Sequence, residues 1–200
     1  IGANIGTSQI SVFAINPCGN GNDRSFDVKA NTFAGVSAGP DKGVCVGGSV
    51  VLEGLWDGAT TSSTWSAPNG TFSDINVTNP TYTPSISSGT VVLTITSNDP
   101  AGTCPATSDQ MIVTVNPLPT AVISGSTTVC RNAASPAITL TGSSGTAPFT
   151  FTYNINGGAS QTITTSAGNS VTLSAPTNVA GTYTYNLVSV QDANNCSQAH

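Results

Sequence analysis

Hydrophobic and polar residues alternate along this chain in short runs. From Gly89, the stretch GTVVLTITS sets Val91, Leu93 and Ile95 on one face and Thr94 on the other. From Gly181, GTYTYNLVS repeats the pattern with Tyr183, Tyr185 and Leu187, and Asn186 opposite. A period of two is the signature of a half-buried strand. Further runs predict strands at Ile10–Ala14, Phe26–Asn31, Val50–Leu52, Met111–Asn116 and Ile138–Leu140, and on the face shared by Phe149, Phe151, Tyr153 and Ile155. The inward residues of Met111–Asn116 are Met111, Val113 and Val115. Those of Phe26–Asn31 are Phe26, Val28 and Ala30, with Asp27 and Lys29 toward water. Asn69-Gly70 reads as a hairpin turn between the runs holding Trp65 and Phe72. Asn156-Gly157-Gly158 reads as a second, leading into Thr162–Thr164. No window of about eleven residues carries a helical apolar period. The chain is expected to be all-β.

These runs recur. Gly89–Cys104 and Gly181–Cys196 align without a gap, and each ends on a cysteine. GVC at Gly43–Cys45 precedes SVVLEG, as TVC at Thr128–Cys130 precedes AITLTG, so Val50 and Leu52 match Ile138 and Leu140. The five cysteines, Cys18, Cys45, Cys104, Cys130 and Cys196, are spaced by 27, 59, 26 and 66 residues. Short and long gaps alternate, as a tandem array requires. The frame places the C-terminal part of a truncated module at 1–33, a complete module at 34–116 and a third at 117–200. Cys18 is then a second cysteine whose partner lies outside the chain. The third module is expected to lack its last strand, and the chain reads as a segment of a longer polypeptide. About seven short strands in some 85 residues suits an immunoglobulin-like sandwich. Asn116-Pro117-Leu118-Pro119 is a stiff connection, which favours a rod.

The same frame pairs Cys45 with Cys104 and Cys130 with Cys196, because each pair joins equivalent positions. The alternative, Cys104–Cys130, would join two modules and leave Cys45 and Cys196 without partners. Regular spacing without a CxxC pattern favours disulfides over zinc, hence an oxidising, extracytoplasmic setting.

Composition narrows the functional classes. Charged residues are 6% of the chain, while Ser and Thr supply 55 of its 200 residues, so hydroxyls solvate the surface. Net charge is −5, and the four basic residues, Arg24, Lys29, Lys42 and Arg131, are scattered. No basic stripe exists for phosphates, which argues against nucleic acid. No apolar run is long enough to insert in a membrane as a helix.

The stretch NPTYTPSISSGTVVLTITSNDPAG from Asn79, followed by a terminal strand, resembles the second half of a polycystic-kidney-disease (PKD) domain. That family often carries Trp-Asp-Phe-Gly-Asp-Gly. Here Trp65-Ser66-Ala67-Pro68-Asn69-Gly70 keeps the tryptophan and the last glycine and lacks both aspartates. Together with AGPDKGVC from Ala38, the paired cysteines, PFTFTYNINGG and GTYTYNLVSVQDANNC, the whole chain resembles tandem PKD-like repeats of very large cell-surface proteins of Bacteroidota. Gliding-motility adhesins of the SprB kind belong here. The resemblance implies export by type IX secretion, display on the outer membrane, and a stalk segment serving cell adhesion or gliding motility. Its partners would be neighbouring repeats of the same polypeptide, with surface polysaccharide or the secretion and motility machinery as further candidates. The rival reading is a carbohydrate-binding or spacer module of a secreted polysaccharide-degrading enzyme.

Chemistry-bearing residues are few. His200 is the one histidine, so a Ser–His or Cys–His pair lacks its base. Asp99 and Asp109 flank one loop, but Asp99 aligns with Gln191. No catalytic residue and no cofactor are assigned, and the chain is expected not to be an enzyme. Calcium is the better chemical hypothesis: Asn20, Asn22, Asp23 and Asp41 are oxygen donors near a module start. The plainer account is turn chemistry, and Asp41 aligns with about Ser126, so the set does not recur. Trp65 is expected in the core and Trp56, in GLWDG, at the surface.

Overall fold

The computed structural model describes residues 33–98 and 105–200 and, before them, the backbone of residues 7–12, 15–16, 19–20 and 24–29. The fold is all-β: the described residues contain strands, turns and no helix. The chain gathers into two compact units. One comprises Ile1–Asp41, Val51–Tyr82 and Val91–Ile112, and the other Lys42–Val50, Thr83–Thr90 and Val113–His200.

The chain begins with β1 (Thr7–Val12), β2 (Ile15–Asn16), β3 (Gly19–Asn20) and β4 (Arg24–Lys29). β1 and β4 pair antiparallel with Ile10 opposite Phe26, and β2 pairs with β3. Two of the runs expected from alternation are therefore sheet partners.

Next come β5 (Ala34–Ser37), β6 (Lys42–Cys45), β7 (Val50–Val51), β8 (Leu55–Gly58) and β9 (Ser63–Ser66). They are followed by β10 (Thr71–Phe72), β11 (Thr81–Thr83), β12 (Gly89–Ser97) and β13 (Ser108–Asn116). The sheet orders are β6-β13-β12-β9, β10-β11-β7 and β5-β8. β6 runs parallel to β13, with Lys42 opposite Val113 and Cys45 opposite Asn116. The alternation read in β12 and β13 is the burial pattern: Val91, Leu93, Ile95, Met111, Val113 and Val115 are all at most 2% exposed. Each such side chain contributes about 1.5–3 kcal/mol by leaving water. Leu52, Trp65 and Tyr82 are also buried. Phe72 lies between the last two, its ring centroid 6.3 Å from Trp65 and 4.9 Å from Tyr82.

Asn69-Gly70 corrects an expectation. It does not join paired strands: β9 lies beside β12, whereas β10 lies beside β11. The turn, with Gly70 at φ 79°, carries the chain from one sheet to the next. The Tyr82 hydroxyl donates to the Asn69 carbonyl at 2.7 Å, holding the turn over the core.

The remaining strands are β14 (Thr120–Ser124), β15 (Ala137–Ser143), β16 (Thr150–Ile155), β17 (Gln161–Thr164), β18 (Ser170–Ser174), β19 (Tyr185–Gln191) and β20 (Ser197–Ala199). They form two sheets, β14-β15-β18 and β17-β16-β19-β20. Ala121 and Leu140 from the first sheet meet Phe149, Phe151, Tyr153, Leu187 and Val190 from the second in one core, as in a β-sandwich. The β16–β17 hairpin forms as expected. Asn156 and Gly157 take φ of 54° and 71°, which an L residue other than Asn or Asp adopts with difficulty. The Asn156 side chain also accepts from the Thr184 amide at 2.7 Å and donates to the Thr182 carbonyl at 3.1 Å.

One further expectation changes. The run from Tyr183 becomes a strand only at Tyr185, and its alternation breaks: Leu187 and Val190 are both buried, three residues apart. The pairing jumps from Thr152↔Ser189 to Tyr153↔Leu187, so Val188 is an extra bulge residue that resets the inward face. After Cys196 a short strand, β20, pairs antiparallel with β19 over Ser197–Ala199.

Candidate functional site

Among the described residues, the most heavily hydrogen-bonded carboxylate lies in the loop before Cys196. Asp192, 4% exposed, organises the loop that precedes it. One carboxylate oxygen accepts from the amides of Asn194 and Cys196 at 3.0 and 2.9 Å, and the other accepts from the Thr146 amide at 3.0 Å. A backbone bond from Asp192 to the Cys196 carbonyl closes the loop, and Asn195 turns it at φ 61°. Gly145 is required beside this carboxylate, since a methyl group there would stand 2.8 Å from Asp192 Oδ2. Three backbone donors are thereby satisfied by one buried side chain, and Cys196 is fixed with 0% exposure.

Cys196 is bonded to Cys45, with Cα atoms 5.6 Å apart and a sequence separation of 151. Both residues belong to the second compact unit. This corrects the pairing read from the repeat frame: neither Cys45–Cys104 nor Cys130–Cys196 is formed. Parallel pairing of β6 with β13 sets Cys45 opposite Asn116, at the end of β13. Cys130 follows β14 in an irregular, exposed segment and carries a free thiol. Cys18 and Cys104 lie outside the described residues. A loop of 151 residues is worth about 5 kcal/mol by the chain-entropy argument.

The carboxylates proposed for calcium or catalysis have structural partners. Asp41 accepts from the Ile112 amide at 2.8 Å, and Asp109 from the Ala38 amide at 2.8 Å. The two contacts form a reciprocal clamp between the segment after β5 and β13. The Ala38 amide, then the Gln110 amide and the Ser37 hydroxyl, hold the Asp109 carboxyl below the usual carboxylate range. Asn22 and Asp23, and the side chain of Asn20, lie outside the described residues, as does Asp99. Among the described residues no three His, Cys, Asp or Glu side chains gather as a metal site. No helix of the described residues is long and apolar enough to cross a membrane.

Trp65 is buried, and its indole N–H donates to the Thr78 carbonyl at 3.1 Å. Trp56 is 41% exposed on β8, next to Leu55 at 67%. A groove of about 870 Å³ runs past Cys130 and is lined by Val129, Ile138, Ala175, Val179 and Tyr183 among others.

The Asp192 loop escaped the sequence reading. Its signal was present in Asp-Ala-Asn-Asn-Cys, an Asp four residues before a cysteine with Asn residues able to turn the backbone between them. Compared with known proteins, the chain matches no family model and no curated protein.

Proposed function

We propose that this chain is a non-enzymatic, extracellular stalk segment of a giant repetitive surface adhesin, built from tandem immunoglobulin-like, PKD-like sandwiches and bearing force in adhesion or gliding. The observation that carries the reading is the Cys45–Cys196 bond, which closes 151 residues behind one crosslink. A crosslink of that span limits how far the chain extends under load. The topology is in keeping with it. Read in chain order, β14-β15-β18 and β17-β16-β19-β20 follow the A-B-E and C′-C-F-G arrangement of immunoglobulin-like domains. A disulfide also suits an oxidising compartment, and a hydroxyl-rich surface of low charge suits a spacer. The motif residues behind the PKD resemblance, Trp65 and Tyr82, serve packing: both are buried.

Antibodies raised against the chain should label intact cells of its source, and cells lacking it should attach to or move over surfaces less well. Labelling confined to lysed cells would contradict the proposal. The exposed rings of Trp56 and Phe33 are where a carbohydrate-binding reading would start. Saturable binding to a polysaccharide, abolished by Trp56→Ala, would favour that reading instead.

A further inference from the structure

The first-cysteine position of the repeat occurs twice among the described residues, once bonded and once bare. Cys45 and Cys130 stand 85 residues apart, each behind a valine and ahead of a matching strand. Their backbones match as well. The Gly48 amide donates to the Cys45 carbonyl at 2.9 Å, and the Ala133 amide to the Cys130 carbonyl at 3.1 Å. Two residues after each cysteine the chain takes a positive φ, 80° at Gly47 and 62° at Asn132. Each cysteine therefore opens the same kind of turn, and the two repeats serve as comparison structures for one another.

Their surroundings differ. Val44, Cys45 and Val46 are half-buried, and Cys45 ends a paired strand. Val129, Cys130 and Arg131 are exposed, and Thr127–Cys130 lies in no strand. The turn at Cys130 is nevertheless anchored. Asn132 donates to the Thr177 carbonyl at 2.9 Å, the Thr177 hydroxyl donates to the Ala133 carbonyl at 2.8 Å, and Arg131 Nε donates to the Asn178 carbonyl at 3.0 Å. Beside it Val129 and Val179 are 43% and 60% exposed along the groove.

The bond that does form joins a first cysteine, Cys45, to the second cysteine of the following repeat, Cys196. We propose that the rule recurs: Cys130 is a covalent docking site for a further repeat and takes the second cysteine of that repeat, a residue equivalent to Cys196. This inference rests on the tandem-array reading. The step is an oxidation of two thiols. Cys130 and its partner form one S–S bond and give up two protons and two electrons, which reduce a disulfide of an exchange oxidant to a dithiol.

The test is non-reducing proteolytic mapping of the polypeptide isolated from its source, with free thiols trapped by iodoacetamide at lysis. The expected result is a Cys130 peptide bonded to a cysteine outside residues 1–200, in a segment like Asp192–Cys196, with Cys130 alkylated only after reduction. In the 200-residue chain alone, Cys130 should alkylate without reduction. Alkylation before reduction in a polypeptide that carries further repeats would overturn the inference and leave the stalk reading standing. So would a bond from Cys130 to Cys18, Cys104 or Cys196. A source polypeptide without further repeats would overturn both.

Discussion

Stretching the chain between its ends should reveal a hidden length set by one bond. In a Cys18→Ser, Cys104→Ser, Cys130→Ser background, Cys45–Cys196 is the single disulfide that can form. The 151 steps it encloses cannot extend while it is intact. At about 3.3–3.6 Å per residue, they hold roughly 500–540 Å of contour. Only the segments outside Cys45 and Cys196 are then free to lengthen. Single-molecule pulling should therefore show a gain larger by that amount after reduction. Chemical unfolding should show a matching loss of about 5 kcal/mol, a large share of a typical domain stability of about 5–15 kcal/mol. The pairing suggested by the repeat frame predicts otherwise, since both of its bonds are absent from this background. Equal gains with and without reductant would refute the assignment.

Other perturbations probe the parts that hold this arrangement. Asp192→Ala leaves the amides of Thr146, Asn194 and Cys196 without their acceptor, so denaturant unfolding should show a loss of about 2–4 kcal/mol. Cys45–Cys196 should also exchange faster with added thiol, which timed alkylation reads. Gly142→Ala would set a methyl group 2.6 Å from the Phe149 ring, and should cost about 1–3 kcal/mol by urea titration. Asp109 has a lowered pKa in the folded chain, so it contributes stability above the unfolded carboxyl pKa of about 3.9, and that contribution is lost as pH falls through the folded value. Asp109→Asn should therefore flatten the acid limb of a stability-versus-pH curve, and an unchanged limb would count against the Ala38 contact.

The parts of the fold that were legible in the residues are those governed by local periodicity. The inward faces of β12 and β13 follow from alternation because both strands are long and half-buried. The Asn156-Gly157 hairpin follows from φ preference. What was not legible depends on tertiary register. Asn69-Gly70 has hairpin chemistry, yet a turn sequence does not state which sheet the next strand joins. The extra residue at Val188 is visible only in the pairing. Cysteine spacing exposed the repeat but not the partner, because bonding requires Cα atoms within about 4.4–6.8 Å, and the 5.6 Å between Cys45 and Cys196 is set by tertiary placement across a sequence separation of 151. The Asp192 loop was hidden for a related reason: one of its three donors, Thr146, lies 46 residues away.

The claim that the chain is one stretch of a tandem stalk is tested most directly by imaging the intact polypeptide released from the surface of its source. Nine-residue strands such as β12 span about 30 Å, so each repeat should extend roughly 30–40 Å. The account predicts a filament with that spacing along its length. A short, rounded particle carrying a catalytic domain would contradict it.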